Sequence, residues 1–332
     1  MTARSHRPRA RVAASLFAGF AAAVSMLPTA ALAQAWPAKP IRLVVPFPAG
    51  GGTDAFARPL AAQLSQQLGQ QFIIDNRGGA GGTIGADVAA KSAPDGYTFL
   101  VGAVHHTIAV SVYAKLPYDL DRDLVPVTMV ALVPNVVVVH PSLQAKTLRE
   151  LVDHAKANPD KLNYASAGNG TSHHLAGELF KIATGTRINH VPYKGAGPAM
   201  QDLVGGQVDM MFDGLGSSAA QIRGGRIRPL AVAASARTPA FPDVPTSAEA
   251  GVPGYEVSTW YALFAPAGTP PDIVRRLQQE VARAMSAPVI KDTWAQQGAD
   301  AGGNTSAEFA AFVKREVAKW ADVVKASGVR ID

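Results

Sequence analysis

The chain has 332 residues, of which 48% are hydrophobic and 17% are charged. This composition indicates a globular protein with an ample core and excludes an intrinsically disordered chain, and two domains are the default expectation at this length. The sequence contains no Cys. Disulfides, thiolate metal sites and lipid attachment to a cysteine are therefore excluded.

The first 33 residues have the pattern of a secretory signal peptide. Four Arg precede an apolar stretch that ends near Leu27, and Ala31-Leu32-Ala33 provides a small-residue cleavage pattern before Gln34. Pro28 and Thr29 interrupt the apolar run before it is long enough to span a membrane. We therefore expect export to the periplasm, cleavage after Ala33 and a mature protein that is free of the membrane.

Removal of this segment changes the electrostatic character of the chain. The formal charge falls from +6 to +2, because the segment holds four Arg and no acidic residue. A mature chain with so small an excess of basic residues lacks the electrostatic signature of a nucleic-acid-binding protein. We expect no nucleic-acid partner.

The stretch Ile41 to Asp54 predicts a strand, a tight glycine-rich loop and a helix. A β-branched run gives way to Pro and Gly, and then Phe56, Leu60 and Leu64 recur on one helix face. Glycine allows a ligand to approach the main chain closely, and the first N–H groups of the helix are free to bind an anion. The loop contains neither Lys nor Arg.

The following segments alternate between strand and helix patterns. Strands are predicted at 71–75 and 97–101, with a short helix from 83 to 91 between them. Residues 130–139 form an apolar run that is too short to span a membrane, and we interpret it as a buried strand that crosses between two domains. Such alternation predicts parallel βαβ units and an α/β fold.

A second strand, glycine-rich loop and helix begin at Leu162. The loop runs from Ser166 to Ser172, again without Lys or Arg, and a helix with Leu175 and Leu179 on one face follows it. If the two loops face each other across a cleft, backbone N–H groups and hydroxyls of both could hold one small carboxylate. Asp213 ends a later strand, where open α/β sheets place ligand residues, although a turn Asp before Gly214 is an equal alternative.

The C-terminal third returns to the first domain. Residues 257–264 resemble a second crossing strand, and helices are predicted over 271–286, 288–297 and 307–326. Two crossings, near 134–140 and 255–262, predict a discontinuous first lobe of residues 34–135 and 257–332 and a continuous second lobe of residues 136–256.

Several chemical functions lack their sequence signatures. The Gly79-Ala80-Gly81 run has Ile84 where a dinucleotide fingerprint needs glycine, and no phosphate-binding loop motif occurs. The pairs His105-His106 and His173-His174 lack metal-site spacing, and no serine has the context of a nucleophile elbow. We therefore predict no catalytic residue, no metal site and no cofactor.

Six sequence blocks, in order, resemble one known family. They are Trp36-Pro37-Ala38-Lys39-Pro40-Ile41, Val45-Pro46-Phe47-Pro48-Ala49-Gly50-Gly51-Gly52-Thr53-Asp54, Ala93-Pro94-Asp95-Gly96-Tyr97-Thr98, Tyr164-Ala165-Ser166-Ala167-Gly168-Asn169-Gly170-Thr171-Ser172 with His174-Leu175-Ala176-Gly177-Glu178, His190-Val191-Pro192-Tyr193-Lys194-Gly195, and Phe241-Pro242-Asp243-Val244-Pro245-Thr246. Over essentially the whole mature chain, the sequence is similar to the periplasmic substrate-binding proteins of tripartite tricarboxylate transporters, the Bug (Bordetella uptake gene) family.

This resemblance implies a two-lobed periplasmic-binding-protein fold of the Venus-flytrap, type II-like class, with two crossover segments. It also implies a monomer that binds a small carboxylate between the lobes and delivers it to an integral membrane permease. The ligand-binding residues carried over by position, together with the cleft-adjacent histidine, are Phe47, Ala49, Gly51, Thr53, Asp54, His106, Ser166, Gly168, Gly170, Thr171, Ser172 and Asp213.

The chain departs from the family pattern at two places. Where many members read Thr-His-Ala-Ile-Asn-Pro, this chain has His105-His106-Thr107-Ile108-Ala109-Val110, and Gly79 replaces a frequent Pro. Dicarboxylates, tricarboxylates, acidic amino acids and aromatic acids are equal candidates for the ligand. A sensor that signals to a membrane receptor, and an enzyme with His105 or His106 as general base, are alternative functions.

Overall fold

The structure is a computed structural model that describes residues 36–332. The predicted signal peptide and its cleavage site lie outside the described residues. Within residues 36–332, no helix has both the length and the hydrophobicity needed to cross a membrane.

Strands and helices alternate along most of the described chain. The strands are β1 (Ile41–Val45), β2 (Phe72–Asn76), β3 (Thr98–Ala103), β4 (Leu124–Val139), β5 (Asn163–Ser166), β6 (Asn189–Pro192), β7 (Met210–Gly214), β8 (Arg228–Val232), β9 (Ser258–Pro266) and β10 (Asp300–Ala301). The helices are α1 (Gly52–Leu68), α2 (Thr83–Ala90), α3 (His105–Val112), α4 (Leu148–Ala157), α5 (Ser172–Thr184), α6 (Ala196–Val204), α7 (Leu215–Arg223), α8 (Pro271–Met285), α9 (Pro288–Gln296) and α10 (Ser306–Ser327).

The helix ends follow from local sequence. α1 buries the predicted face of Phe56, Leu60 and Leu64, and it ends at Gly69, whose left-handed conformation lets its N–H donate to the Ser65 carbonyl at 3.1 Å. α10 begins with a capping box in which Thr305 and Glu308 exchange side chain to backbone hydrogen bonds.

All the strands of residues 36–332 form one mixed sheet. Its main path has the order β2-β1-β3-β9-β4-β7-β5-β6, with β8 and β10 paired to β4. The pairs of β1 with β2 and β3, and of β5 with β6 and β7, are parallel, whereas β9 and β4 form antiparallel pairs. Residues 39–332 constitute one compact unit.

β4 connects the two ends of this sheet. Its segment Leu124–Pro134 pairs with β9, and its segment Asn135–Val139 pairs with β7 and, from Val136 onward, with β8. The Asn135 N–H donates to the Val257 carbonyl at 2.9 Å. The two predicted crossings therefore touch each other, and the division into lobes at 135/136 and 256/257 stays a prediction.

Two observed helices, α3 and α7, are absent from the sequence predictions. α3 contains β-branched residues and is buried on nearly every side, so it shows no amphipathic period. α7 opens with Leu215-Gly216-Ser217-Ser218, which are mostly weak helix formers. Tertiary packing overrides local propensity in both, and this matters because α3 begins at His105.

Candidate functional site

Loop 1, residues 46–51, leads from β1 into α1 as predicted. Gly51 precedes the helix in an extended conformation, and α1 begins at Gly52. A Cβ on Gly52 would overlap the Tyr261 hydroxyl. Glycine at this position therefore allows the hydroxyl of a β9 residue to lie directly against the N-terminus of α1.

Loop 2, residues 167–171, leads from β5 into α5. Two hydroxyls shape it, since Ser166 Oγ accepts from the Gly168 N–H at 3.1 Å and Thr171 Oγ1 donates to the Gly168 carbonyl at 2.7 Å. Gly170 has a φ of +70°, and a Cβ there would lie 2.7 Å from Val112 Cγ1. The loop can take this shape only with glycine at that position.

The two loops meet at one small cavity of about 30 Å³. The N-termini of both α1 and α5 contribute to its wall. No Lys or Arg is among its lining residues in the described chain, which are Phe47, Gly51, Gly52, Thr53, Ala103, His105, Ala167, Thr171, Ser172, His173, Ala196, Thr259 and Tyr261. Helix N-termini carry partial positive charge and free N–H groups, so this wall suits an anion without a cationic side chain.

Each of the two loops has a close backbone contact with another segment of the chain. A Cβ on Gly197, in α6, would lie 2.6 Å from the carbonyl oxygen of Ala49 in loop 1. A Cβ on Gly81 would lie 2.7 Å from the carbonyl oxygen of Asn169 in loop 2. The main chain of loop 1 therefore lies directly against α6, and that of loop 2 lies directly against Gly81.

His173 lies in the cavity wall and Asp213 lies beside it. His173 Nε2 is 3.2 Å from Asp213 Oδ1, and Asp213 is fully buried. The hydroxyls of Ser217 and Ser218 donate to the same carboxylate at 2.7 and 2.6 Å. Burial lowers the pKa of His173, and the negative charge of Asp213 opposes that shift.

His105 is the second histidine of the wall. Its ring packs edge-on against Phe47, with centroids 4.8 Å apart, and lies 3.9 Å from the ring of His106. Burial lowers the pKa of His105 well below its ordinary value, and the neighbouring rings of His106 and His173 add to this effect. A neutral imidazole therefore faces the cavity at neutral pH.

His106 and Asp54 were predicted to bind the ligand but have other contacts. His106 is fully buried, and its Nδ1 lies 3.0 Å from the Tyr118 hydroxyl. Burial would raise the pKa of Asp54, but hydrogen bonds from Arg58, at 2.8 Å, from the Gly50 N–H and from Asn76 lower it. Neither residue lines the cavity. Asp54 instead ties loop 1 to α1 and β2.

The lining set divides the predicted residues into two groups. Those in the cavity wall are Phe47, Gly51, Thr53, Thr171 and Ser172. Those outside it are Ala49, Asp54, His106, Ser166, Gly168, Gly170 and Asp213, of which Ser166, Gly168 and Gly170 shape loop 2. The wall residues that are absent from the predicted ligand-binding set are Gly52, Ala103, His105, Ala167, His173, Ala196, Thr259 and Tyr261.

Most of the missed residues have a recognisable position. Ala103 and His105 end β3 and open α3, and Ala196 opens α6. Residues after the carboxyl ends of parallel strands gather at one edge of a sheet, which is the signal that could have identified them. Tyr261 and Thr259 lie within β9, and no local pattern marks them.

Other possible sites in the described residues lack the features of a ligand-binding site that the two loops provide. No group of three or more His, Cys, Asp and Glu between residues 36 and 332 is arranged to hold a metal ion. Two larger cavities, of about 600 and 730 Å³, lie away from the loops, one between α3 and α10 and the other beside β4 and residues 233–240. Neither contains a helix N-terminus from loop 1 or loop 2.

Comparisons with known proteins identify the family of this chain. The family model described as tripartite tricarboxylate transporter family receptor matches residues 56–329. The protein BugT of Bordetella pertussis is 42% identical over 316 residues, which cover 95% of each chain.

Two solved structures are similar throughout. R. palustris Rpa4515 with adipate is 40% identical, with a TM-score of 0.86 and coverage of 89% of this chain and 99% of that one. MatC from Rhodopseudomonas palustris with bound malate is 37% identical, with a TM-score of 0.83 and coverage of 87% and 100%. The predicted α/β periplasmic-binding-protein fold and the predicted family are thereby confirmed. The chain belongs to the tripartite tricarboxylate transporter receptor family of periplasmic solute-binding proteins.

Proposed function

We propose that this protein captures a small carboxylate between loop 1 and loop 2 and delivers it to the integral membrane permease of a tripartite tricarboxylate transporter. One observation carries the proposal: the N-termini of α1 and α5 contribute to a single buried wall that holds no Lys or Arg among the described residues. Relatives with adipate and with malate support a carboxylate as the ligand class.

The binding energy can come from neutral donors alone. Each hydrogen bond to a charged group contributes roughly 1.5 to 3 kcal/mol. Micromolar affinity requires about 8 kcal/mol in total. Four or five donors from the two helix N-termini and the hydroxyls of Thr53 and Ser172 therefore suffice, after the cost of ordering the loops.

Ligand entry requires the loops to separate. The cavity of about 30 Å³ holds about one water molecule, which is far smaller than a dicarboxylate. We therefore propose that the protein opens at the adjoining strands near Asn135 and Val257, between the two lobes predicted from the sequence. A ligand that touches both loops binds the closed form more tightly, shifts the population toward it and marks it for the permease.

Thr171→Ala and Gly51→Val test this site from its two sides. Thr171→Ala removes the hydroxyl that donates to the Gly168 carbonyl and shapes loop 2. Gly51→Val places methyl groups against Ala196 across the cavity, where even a Cβ would lie 3.4 Å from that residue. Because Gly51 is extended, Val fits its backbone. We expect both variants to fold and to bind carboxylates at least tenfold more weakly in calorimetric titrations.

The matched control is Thr293→Ala, which removes a threonine hydroxyl from α9, outside the cavity. It should bind like the unaltered protein. Unchanged affinity in both Thr171→Ala and Gly51→Val would refute the proposed site. Turnover of a bound carboxylate, followed by NMR, would instead favour the enzyme alternative, and a receptor partner in place of a permease would favour the sensor.

A further inference from the structure

His105 and His173 are the two imidazoles of the cavity wall, and each has a ring nitrogen with no partner. His105 Nε2 and His173 Nδ1 are buried without a hydrogen bond in the described chain, and the two residues are only 4% and 6% exposed. A buried polar atom without a partner destabilises the folded state and indicates that its partner is a ligand or water. Both histidines lie beside the two helix N-termini, so the wall offers more than an anion site.

The surroundings of Asp213 determine which His173 nitrogen carries the proton. Asp213 Oδ1 lies 3.2 Å from His173 Nε2, and the carboxylate also accepts hydrogen bonds from Ser217 and Ser218. A carboxylate favours the tautomer that presents an N–H toward it, so the proton of neutral His173 belongs on Nε2. The unpartnered Nδ1 is then a hydrogen-bond acceptor.

Because His173 Nδ1 is a hydrogen-bond acceptor, its complement on a ligand is a hydrogen-bond donor. The helix N-termini take a carboxylate, whereas a second carboxylate oxygen opposite His173 Nδ1 would place two acceptors against each other. We propose that His173, held in this tautomer by the positioning residue Asp213, accepts a hydrogen bond from a hydroxyl or amino group of the ligand. The preferred ligands are therefore hydroxy or amino carboxylates. This inference rests on the proposed function.

Two opposing effects determine the pKa of His173. The titratable groups near His173 are His105 on α3, Tyr261 on β9 and Asp213 on β7. Burial lowers the pKa of His173 and outweighs the opposing charge of Asp213, so His173 stays neutral and Nδ1 stays an acceptor at neutral pH. Protonation in acid converts Nδ1 into a donor and weakens the preference for a ligand donor.

The test compares ligands that differ by one hydrogen-bond donor. Succinate is paired with malate, adipate with 2-hydroxyadipate, and phenylacetate with mandelate, and the methyl ether of each hydroxy acid and the matching amino acids complete the series. Calorimetry with the mature protein should show about tenfold tighter binding of the hydroxy acid in the pair that binds. The methyl ether, which has lost the donor, should lose this advantage.

Two variants distinguish recognition of the ligand by the His173 tautomer from recognition by shape alone. His173→Phe keeps a ring but removes the acceptor, so the ratio of affinities within a pair should fall to about one. Asp213→Asn presents an amide that can donate to Nε2, which moves the His173 proton to Nδ1, so the unsubstituted acid should bind at least as tightly as the hydroxy acid. His154→Phe, on α4, is the matched control and should keep the original ratio.

Two results would overturn the inference and differ from a failure of the proposed function. Equal affinity for both members of every pair that binds, or a preference that survives His173→Phe, would show that His173 does not read a ligand donor. Carboxylate binding itself would still stand in those cases. If no member of any pair binds, both the proposed function and this inference fail.

Discussion

The Gly170 N–H donates to Nδ1 of His174 at 3.2 Å, so a side chain in the first turn of α5 holds the loop that precedes it. The His174 ring in turn stacks on His190, with centroids 3.9 Å apart and an interplanar angle of 7°. His190 Nε2 lies 2.6 Å from Ser166 Oγ, which accepts from the N–H of Gly168. The shape of loop 2 therefore depends on two histidines that do not line the cavity.

Replacement of His174 by Phe should weaken loop 2. Phe retains the stacking on His190 but leaves the buried Gly170 N–H without an acceptor. We expect the free energy of unfolding to fall by about 1 to 3 kcal/mol. Carboxylate affinity should fall as well, because the donors of loop 2 are less well ordered.

Urea unfolding and calorimetry measure the two effects of His174→Phe. His154→Phe is the control for the change of residue type. Wild-type stability and affinity in His174→Phe would mean that loop 2 does not need this hydrogen bond.

Gly52→Ala should destabilise the protein through one atom. The added Cβ would overlap the Tyr261 hydroxyl, and overpacking of this kind costs about 1 to 3 kcal/mol. Tyr261→Phe removes the oxygen, so the double variant should recover part of the stability that Gly52→Ala loses. Thermal unfolding of the two single variants and the double variant measures this coupling, and strict additivity would contradict it.

Stability should fall as the pH falls from 7 to 5. Burial lowers the pKa of each of His105, His106, His173, His174 and His190, and that of His106 falls from 6.5 to about 3. Between those two values the unfolded chain binds more protons than the folded one, so stability rises with pH in this window. For His106 alone the loss at pH 5 is about 2 kcal/mol.

Urea unfolding at several pH values tests this linkage. The window from pH 5 to 7 isolates the histidines, because the lowered pKa of Asp54 affects stability only at more acidic pH. His106→Leu should show a shallower pH dependence than the unaltered protein. An equal free energy of unfolding at pH 7 and pH 5 would contradict this prediction.

Glu316 joins β9 to α10 through two indoles. Its Oε2 accepts from Trp260 Nε1 at 2.9 Å and from Trp320 Nε1 at 3.1 Å. Glu316→Leu leaves both buried donors unpaired and should cost about 2 to 5 kcal/mol. Glu316→Gln keeps an acceptor oxygen and should cost clearly less. Tryptophan fluorescence during denaturant unfolding measures both, and equal losses would argue against the paired acceptor.

Local patterns in the sequence predicted the parts of the site that depend on short-range chemistry. The strand before Phe47, the helix from Thr53 and the glycines between them follow from turn and periodicity rules, and so do the equivalent features before Thr171. The closeness of Tyr261 to Gly52 depends on long-range pairing of β9, and no local rule contains it.

The surroundings of His105 and His106 could not be predicted from the sequence either. From the sequence, His106 was placed in the cleft, yet the structure directs His105 there and packs His106 against Tyr118. Neighbouring positions at the start of a helix face different surroundings, and the sequence did not predict α3. The sequence predicts Asp213 as a ligand-binding residue, whereas in the structure its carboxylate contacts His173 and does not line the cavity.

The placement of β9 between β3 and β4 has a consequence for the order of folding. β3 and β9 pair at Leu100 and Phe264, which are far apart in the sequence, whereas β5, β6 and β7 come from one continuous stretch. Contacts between distant residues form late because their loop-closure entropy must be overcome first. The segment from 136 to 256 can therefore assemble early. The strands β1, β2 and β3 also come from one stretch, but one edge of β3 stays unpaired until β9 arrives to complete the cavity.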